Sequence, residues 1–313
     1  MKYGKKLGFG DTIGFIGPSG AVRTADAIDR AVAETERMGF RVKRGESCGL
    51  AYGYLSGTDE VRARDVNNMF LDDEVDAIFC LKGGYGTMRM LDLLDYEAIA
   101  AHPKIFVGYS DITAMHIAML QKSSLVTFHG PKPVSNWADG PMDGFTRDSL
   151  FHTIMSDEPV GEIVNPAGYE KKTVNSGVCE GALVGGNLSL IVGLLGTPYE
   201  LDAKGRILFI EDVGEKTYSL DRMLTHLRLA GKFDDCAGIV LGDFKNCEME
   251  YPGYSFSFEE IVRDVVAPCG KPIFSGLQSG HCTPKITLPY GVMCRMDADR
   301  CTLEVLEAAV TDC

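Results

Sequence analysis

The sequence predicts an α/β fold in which a mostly parallel sheet carries helices on both faces. Two observations support this prediction. Short apolar runs alternate with helix-like segments through the first half of the chain, and glycine-containing turns follow several of these runs. With 313 residues, the chain is long enough for two domains of ordinary size.

The first half repeats the order strand, turn, helix. Its predicted elements are the strand Thr12 to Ile16, the turn Gly17 to Gly20, the helix Ala25 to Met38, a strand beginning at Arg41 to Arg44, the helix Thr58 to Leu71, the strand Ala77 to Leu81, the loop Lys82 to Thr87, the helix Met88 to Leu94, the strand Ile105 to Val107 and the helix Ile112 to Leu120. Ligands of such sheets bind at the carboxyl ends of the strands. We therefore expect the turns after Ile16, Leu81 and Val107 to converge.

A polar, turn-rich stretch separates the two halves of the chain. We predict an N-terminal α/β domain over 1–160, a linker over 161–180 and a C-terminal domain over 181–313. The predicted elements of the second half are the strand Ile207 to Ile210, the helix Ser219 to Leu229, the strand Ala237 to Leu241, the helix Phe258 to Val266 and short strand-like pieces towards the end.

The composition excludes several classes of protein. A net charge of -13 argues against a nucleic-acid partner, which clustered Lys and Arg residues would have to bind. No 18-residue apolar run occurs, and the first residues lack the apolar core of a signal peptide, so we predict a cytoplasmic protein with no membrane partner. The ten cysteines contain no C-x-x-C pair, which predicts reduced thiols and no structural zinc.

Ser110 lies between the apolar strand and the helix in KIFVGYSDITAMH, a position where hydrolases place a nucleophile. The amides of the following helix would point at an anion that develops beside it. The strict G-x-S-x-G pattern is absent because Ile112 replaces the second glycine. Ser110 as a simple helix N-cap is the alternative interpretation.

A serine nucleophile needs a base and an acid that orients the base. Among the six histidines, His281 is favoured over His129 because it lies in a loop rich in Gly, Ser, Thr and Pro. Glu211 ends the apolar strand ILFIE, where a carboxylate needs a partner to offset its desolvation. The alternative is that Glu211 or Asp212 only caps the following loop.

The loop Lys82 to Gly86 contains consecutive glycines that let backbone N–H groups approach a ligand closely. It lacks the spacing of a phosphate-binding P-loop, and Gly14, Gly17 and Gly20 do not form a dinucleotide motif. We therefore predict an oxyanion hole built from the backbone of Gly83, Gly84 and Asp111.

Several motifs together resemble the LD-carboxypeptidases, a family of serine peptidases of murein recycling that also contains microcin-immunity hydrolases. They are GFIGPSG at 14–20, CLKGGYGTMRMLDLLDY at 80–96, FVGYSDITAMH at 106–116, FHGP at 128–131, GALVGGNLSLIVGLLGTPY at 181–199, FIEDVGEKTYSLDRML at 209–224 and SGHCTPKITLPYG at 279–291. The resemblance runs from about residue 9 to 306 in the order that the family shows.

The resemblance implies a flavodoxin/Rossmann-like parallel-sheet domain followed by a β-rich α/β domain. By motif, the triad is Ser110, Glu211 and His281. It also implies a homodimer that needs no cofactor or metal and releases the terminal D-alanine of a murein tetrapeptide. The terminal carboxylate of that substrate needs a cation, and the residues predicted to bind the substrate are Lys82, Tyr85, Arg222 and Lys285.

Two other interpretations stay open on sequence alone. The protein could be a microcin-immunity type of hydrolase that cleaves an acyl-sulfamoyl nucleotide or another amide, and Trp137, the only tryptophan, could then contact a nucleobase. It could bind an anion without catalysis at Gly83, Gly84 and Asp111. Catalysis by Cys282 is disfavoured because a residue adjacent in sequence to its base rarely faces that base.

Overall fold

The computed structural model describes residues 1–24, 26–249, 251 and 253–312. The predicted start of the first helix at Ala25 and the cysteine at position 313 lie outside the described residues. The chain forms two compact units. The first contains Met1–Pro159, Thr287–Gly291 and the segment from Ala308, and the second contains Val160–Ile286 and Val292–Glu307.

The strands in the described ranges are numbered in chain order. They are β1 (Thr12–Ile16), β2 (Arg41–Arg44), β3 (Ala77–Cys80), β4 (Ile105–Gly108), β5 (Thr127–His129), β6 (Gly161–Glu162), β7 (Lys172–Asn175), β8 (Val178–Asn187), β9 (Ile207–Val213), β10 (Gly238–Lys245), β11 (Ile273–Ser275), β12 (Leu288–Tyr290), β13 (Met293–Asp297) and β14 (Thr302–Val305).

The α-helices are numbered in the same way. They are α1 (Ala27–Arg37), α2 (Asp59–Leu71), α3 (Tyr96–Ala101), α4 (Thr113–Ser123), α5 (Pro133–Asn136), α6 (Gly144–Ile154), α7 (Leu188–Gly193), α8 (Thr217–Leu229), α9 (Lys232–Asp235) and α10 (Phe258–Ile261). None of the helices in the described part of the chain is long and apolar enough to cross a membrane.

The first unit contains a six-stranded sheet in the order β12-β5-β4-β3-β1-β2. Strands β1 to β5 are parallel, and β12 pairs antiparallel with β5. Every residue of β1, β3 and β4 is buried, as expected for strands that helices cover on both faces. The predicted parallel-sheet domain is confirmed. The segment predicted as a helix from Met88 is instead a 3₁₀ helix, Thr87–Leu93.

The second unit contains an eight-stranded sheet in the order β6-β14-β13-β8-β9-β10-β11-β7. Its centre, β8 to β11, is parallel, whereas β13, β14, β6 and β7 pair antiparallel. This mixed sheet agrees with the predicted β-rich α/β character of the second half. Residues Ile207 to Asp212 of β9 are all buried, so the strand that carries Glu211 lies at the core.

Two boundaries differ from the predicted domain limits. The stretch 161–180, predicted as a linker, contains β6, β7 and the start of β8. Both β6 and β7 are outer strands with largely solvated side chains, so their polar composition resembles that of a linker. The segment 287–291, predicted in the C-terminal domain, supplies β12 to the first unit because β12 pairs with β5.

Candidate active site

Ser110 lies where β4 ends and the chain turns into a 3₁₀ helix, Ser110–Ile112, that leads into α4. Its φ angle is +72°, in the left-handed region that non-glycine residues rarely adopt. The N-cap of α4 is Ile112, and no side chain caps that helix, so Ser110 does not serve as its N-cap. A strained serine on a strand-to-helix turn is typical of a hydrolase nucleophile.

The three predicted turns converge beside Ser110. The buried carboxylate of Asp111 accepts hydrogen bonds from Ser19 Oγ at 2.6 Å and from the Thr87 backbone N–H at 3.0 Å. Thr87 Oγ1 donates to the Asp111 carbonyl at 2.6 Å. Asp111 therefore ties the turns after β1 and β3 to the Ser110 turn, and the prediction that they converge is confirmed.

The glycine loop after β3 packs directly against the serine. A Cβ atom on Gly83 would lie 2.9 Å from Ser110 Cβ and 3.0 Å from Ser110 Oγ, so only glycine fits without displacing Ser110. Gly84 has a φ of +129°, and a Cβ on it would lie 3.2 Å from the Cα of Gly20. The loop backbone is thus close enough to Ser110 to serve the predicted oxyanion role.

Lys132, the residue that follows FHGP at the end of β5, was not among the predicted site residues. Its side chain is only 3% exposed, and its Nζ lies 3.6 Å from the ring centroid of Tyr109 and donates to the Tyr109 carbonyl at 3.3 Å. A Cβ on Gly83 would lie 2.9 Å from this Nζ, the same distance as from Ser110 Cβ. The sequence signal that could have revealed Lys132 is its position directly after a strand, at the edge of the sheet where ligands bind.

Glu211 and His281 form a close pair in the second unit. His281 Nδ1 lies 2.7 Å from Glu211 Oε2, with Glu211 fully buried and the His281 side chain 16% exposed. A Cβ on Gly280, whose φ is +122°, would lie 2.7 Å from that carboxylate oxygen. The pair is what a triad requires, because the acid holds the Nδ1 proton and leaves Nε2 to accept one.

Asp212 has a structural role. Its carboxylate accepts hydrogen bonds from Asn187 Nδ2 at 2.9 Å and from Ser189 Oγ at 2.7 Å, which fastens the start of α7. It is Glu211 that contacts the histidine. Burial raises the pKa of the neighbouring Cys282 thiol to about 12, which leaves it un-ionised and unsuited to be a nucleophile.

The predicted substrate-binding residues have different surroundings. Lys285 is buried and donates to the Gly280 carbonyl at 3.0 Å. Burial lowers its pKa to about 8. Lys82 Nζ donates to the Ala21 carbonyl at 3.4 Å, and Tyr85 is exposed against Tyr54. Arg222 is exposed, with its guanidinium 6.0 Å from the ring centroid of Tyr218.

Two residues considered for other roles lie in the core of the first unit. His129 is buried between the rings of Tyr109 and Tyr290, each with a centroid 5.8 Å away. Trp137 is 2% exposed, and its Nε1 donates to Thr35 Oγ1 at 3.0 Å. Trp137 is therefore a core residue, and the suggestion that it contacts a nucleobase is wrong.

The structure brings Ser110 together with Gly83, Asp111 and Lys132 in the first unit. It brings Glu211 together with His281 in the second. Since Ser110 belongs to one unit and His281 to the other, their joint action stays a prediction.

Comparison with known proteins supplies the family context. Residues 13–130 match the LD-carboxypeptidase N-terminal domain, and residues 180–296 match the LD-carboxypeptidase C-terminal domain. The probable murein peptide carboxypeptidase of Bacillus subtilis (strain 168) is 39% identical over 98% of this chain and 95% of its own length.

Two solved structures are similar over nearly the whole chain. MccF in complex with glutamyl sulfamoyl guanosine is 27% identical with a TM-score of 0.91, covering 99% of this chain and 100% of that one. The muramoyltetrapeptide carboxypeptidase of Oxalobacter formigenes is 29% identical with a TM-score of 0.81, covering 94% of this chain and 97% of that one.

Proposed function

Since the chain belongs to the LD-carboxypeptidase family of peptidases, we propose that it is a serine carboxypeptidase acting on murein tetrapeptides. It hydrolyses the amide between an L-configured centre, meso-diaminopimelate or L-lysine, and the terminal D-alanine. The observation that carries this proposal is the 2.7 Å pair of Glu211 and His281, a buried acid that orients a partly exposed base.

In the proposed reaction, Ser110 Oγ attacks the carbonyl carbon of the L-centre while its proton passes to Nε2 of His281. Glu211 stabilises the imidazolium that forms. The C–N bond then breaks, and the same proton moves to the amine of the departing D-alanine. Water, deprotonated by His281, hydrolyses the remaining ester and releases Ser110.

The negative charge that develops on the carbonyl oxygen needs preorganised donors. The backbone N–H groups of Gly83, Gly84 and Asp111 are the proposed donors, and the contact of Gly83 with the serine supports this assignment. The ammonium of Lys132, beside the same glycine, adds a fixed positive charge on the nucleophile side. Lys82, Tyr85, Arg222 and Lys285 remain proposed contacts to the rest of the substrate.

The direct test is incubation of the protein with L-Ala-γ-D-Glu-meso-diaminopimelate-D-Ala, followed by mass analysis. We expect free D-alanine and the matching tripeptide. A fluorophosphonate probe should label the wild-type protein at Ser110 but not Ser110→Ala. Absence of both turnover and labelling would favour a protein that binds an anion without catalysis.

The likeness to MccF makes an acyl-sulfamoyl nucleotide the competing substrate. The burial of Trp137 leaves the only tryptophan of the sequence without access to a nucleobase. Glutamyl sulfamoyl guanosine is therefore the matched comparison substrate, and we expect a lower kcat/KM for it than for the tetrapeptide. The opposite order would overturn the murein assignment.

The homodimer and the cytoplasmic location implied by the resemblance remain proposals. Sedimentation equilibrium of the purified protein tests the first. Fractionation of cells that express it tests the second.

A further inference from the structure

Arg62 of α2 is a buried cation in the first unit, with none of its side chain exposed. Its Nη1 donates to two backbone carbonyls, that of Pro18 and, at 2.9 Å, that of Gly86. Its Nη2 donates to the carboxylate of Asp59, three residues earlier in the chain. A buried guanidinium is costly unless such partners offset its desolvation, so these three groups fix where Arg62 lies.

The two carbonyls belong to two of the turns that converge at the proposed nucleophile. Pro18 lies in the turn after β1, and Gly86 ends the glycine loop after β3. The same two turns are joined a second time, because the Gly20 N–H donates to the Gly83 carbonyl at 3.3 Å. Together with Arg62, this bond closes a ring of chain segments and hydrogen bonds that contains both turns.

The ring is tightly packed at both places where the turns are joined. A Cβ on Gly20 would lie 2.9 Å from the Gly83 carbonyl oxygen, and a Cβ on Gly86 would lie 3.1 Å from Nη1 of Arg62. Gly86 also has a φ of +123°, which disfavours any other residue. Neither place has room for a side chain, so the guanidinium sets how far apart the two turns lie.

The ring contains two of the proposed oxyanion donors, the backbone N–H groups of Gly83 and Gly84. The Gly83 carbonyl points at Gly20. Because a trans peptide is planar, the Gly84 N–H points the opposite way, away from the turn after β1. The direction of this donor is therefore set by the position in which the ring holds the loop. An oxyanion hole stabilises a transition state only when its donors are aimed in advance.

We propose that Arg62 is a positioning residue for the oxyanion hole. By holding the carbonyls of Pro18 and Gly86 at a fixed separation, it aims the N–H groups of the glycine loop without touching the substrate. This inference rests on the proposed function, because the oxyanion forms in the hydrolysis proposed there. It goes further by giving a role to a residue that lies outside the motifs of the family resemblance.

The test compares a transition-state mimic with the substrate. The mimic is the boronic acid counterpart of the tetrapeptide that the wild type cleaves, in which boron replaces the carbonyl carbon of the L-centre and forms a tetrahedral adduct with Ser110. Its Ki comes from inhibition of turnover, and calorimetry in the Ser110→Ala background gives the Kd of the tetrapeptide. Arg62→Lys keeps the charge but loses the planar fork. We expect it to raise Ki and lower kcat by about tenfold to a hundredfold, with Kd changed less than about twofold.

A second variant carries the test if circular dichroism shows that Arg62→Lys does not fold. Asp59→Asn removes the charge that holds the guanidinium, and it should raise Ki by about threefold to tenfold with Kd unchanged. The matched control is Arg89→Gln, since the exposed Arg89 donates to the same carboxylate at 2.9 Å and 3.0 Å. This control should leave Ki within about twofold.

Three outcomes would overturn the role of Arg62. They are equal weakening of boronate and tetrapeptide binding, as a purely structural residue would give, an unchanged Ki in the folded variants, and an effect of Arg89→Gln as large as that of Asp59→Asn. The proposed function is judged separately by the wild type. A wild-type protein that neither cleaves the tetrapeptide nor binds the boronate would overturn that function, and the role of Arg62 with it.

Discussion

Ser110 is positioned by the backbone of one short turn, whereas His281 is positioned by a carboxylate 70 residues away in the sequence. The serine region relies on a left-handed residue, a close glycine and the hydrogen bonds of buried Asp111. The histidine region relies on one side-chain pair within a packed sheet. Each region also contains a buried lysine, Lys132 in the first and Lys285 in the second. The difference teaches that the proposed nucleophile is fixed by local backbone, whereas the proposed base is fixed by contacts between distant parts of the sequence.

The largest effect is expected at the serine. Ser110→Ala should lower kcat by about 10⁴- to 10⁶-fold with the fold unchanged, because the proposed nucleophile is lost and its side chain contributes little to the core. The measurement is tetrapeptide turnover together with circular dichroism. The matched control is Ser124→Ala, an exposed serine that also has a positive φ, of +53°. More than a tenth of wild-type activity in Ser110→Ala would contradict the nucleophile assignment.

The histidine region is tested by Glu211→Gln, which keeps the shape of the side chain but removes its charge. We expect kcat to fall by roughly 10³- to 10⁴-fold, because the imidazolium loses its counter-charge and the tautomer is no longer fixed. Asp212→Asn is the control next to it. It should lower the free energy of unfolding by about 1–3 kcal/mol through its bonds to Asn187 and Ser189, with little change in kcat. Reversed results would make Asp212 the orienting acid.

Lys132→Met tests whether the buried ammonium beside Ser110 acts on the transition state. We expect kcat to fall by about tenfold to a hundredfold with a small change in KM, because the substitution removes a positive charge that would stabilise the developing oxyanion. Steady-state kinetics with the free tetrapeptide and its C-terminal amide distinguish two roles. A rise in KM that is confined to the free acid would instead assign Lys132 to the terminal carboxylate of the substrate.

The pH dependence of the free energy of unfolding tests the surroundings of Lys285 in the histidine region. Its pKa is lowered by burial from 10.5 to about 8, so between these values the unfolded chain holds a proton that the native protein does not. The free energy of unfolding should therefore rise with pH across this window, by on the order of 3 kcal/mol. Urea denaturation at pH 7.5 to 10.5 should show this rise for the wild type and not for Lys285→Met. A parallel pH dependence of the two proteins would refute the assignment.

The smallest effect is expected from chelation. Because the proposed nucleophile is generated by His281 rather than by metal-bound water, EDTA should leave the tetrapeptide rate within about twofold. Loss of the rate, restored by zinc, would give His281 a ligand role and remove the contrast between the two regions.

The sequence predicted those features that depend on local pattern. Strand, turn and helix around Ser110 could be predicted because their apolar spacing is short-range, and Glu211 could be predicted from a carboxylate at the end of an apolar strand. Lys132 was missed because its position depends on β5 lying beside β4. The outer strands β6 and β7 were taken for a linker because solvated edges lack an apolar pattern.

Residues 287–291 belong to the first unit although the residues on either side of them belong to the second. This arrangement affects how the first unit can fold during synthesis. On a ribosome, β5 emerges about 160 residues before its antiparallel neighbour β12, so the sheet is left with an open edge while the intervening chain is made. Hydrogen bonding of the amino-terminal residues is also delayed until Thr311 has been made, because the Lys6 N–H donates to the carbonyl of Thr311 at 2.7 Å. Nascent chains that stop before β12 should therefore be captured by chaperones and prone to edge-to-edge association.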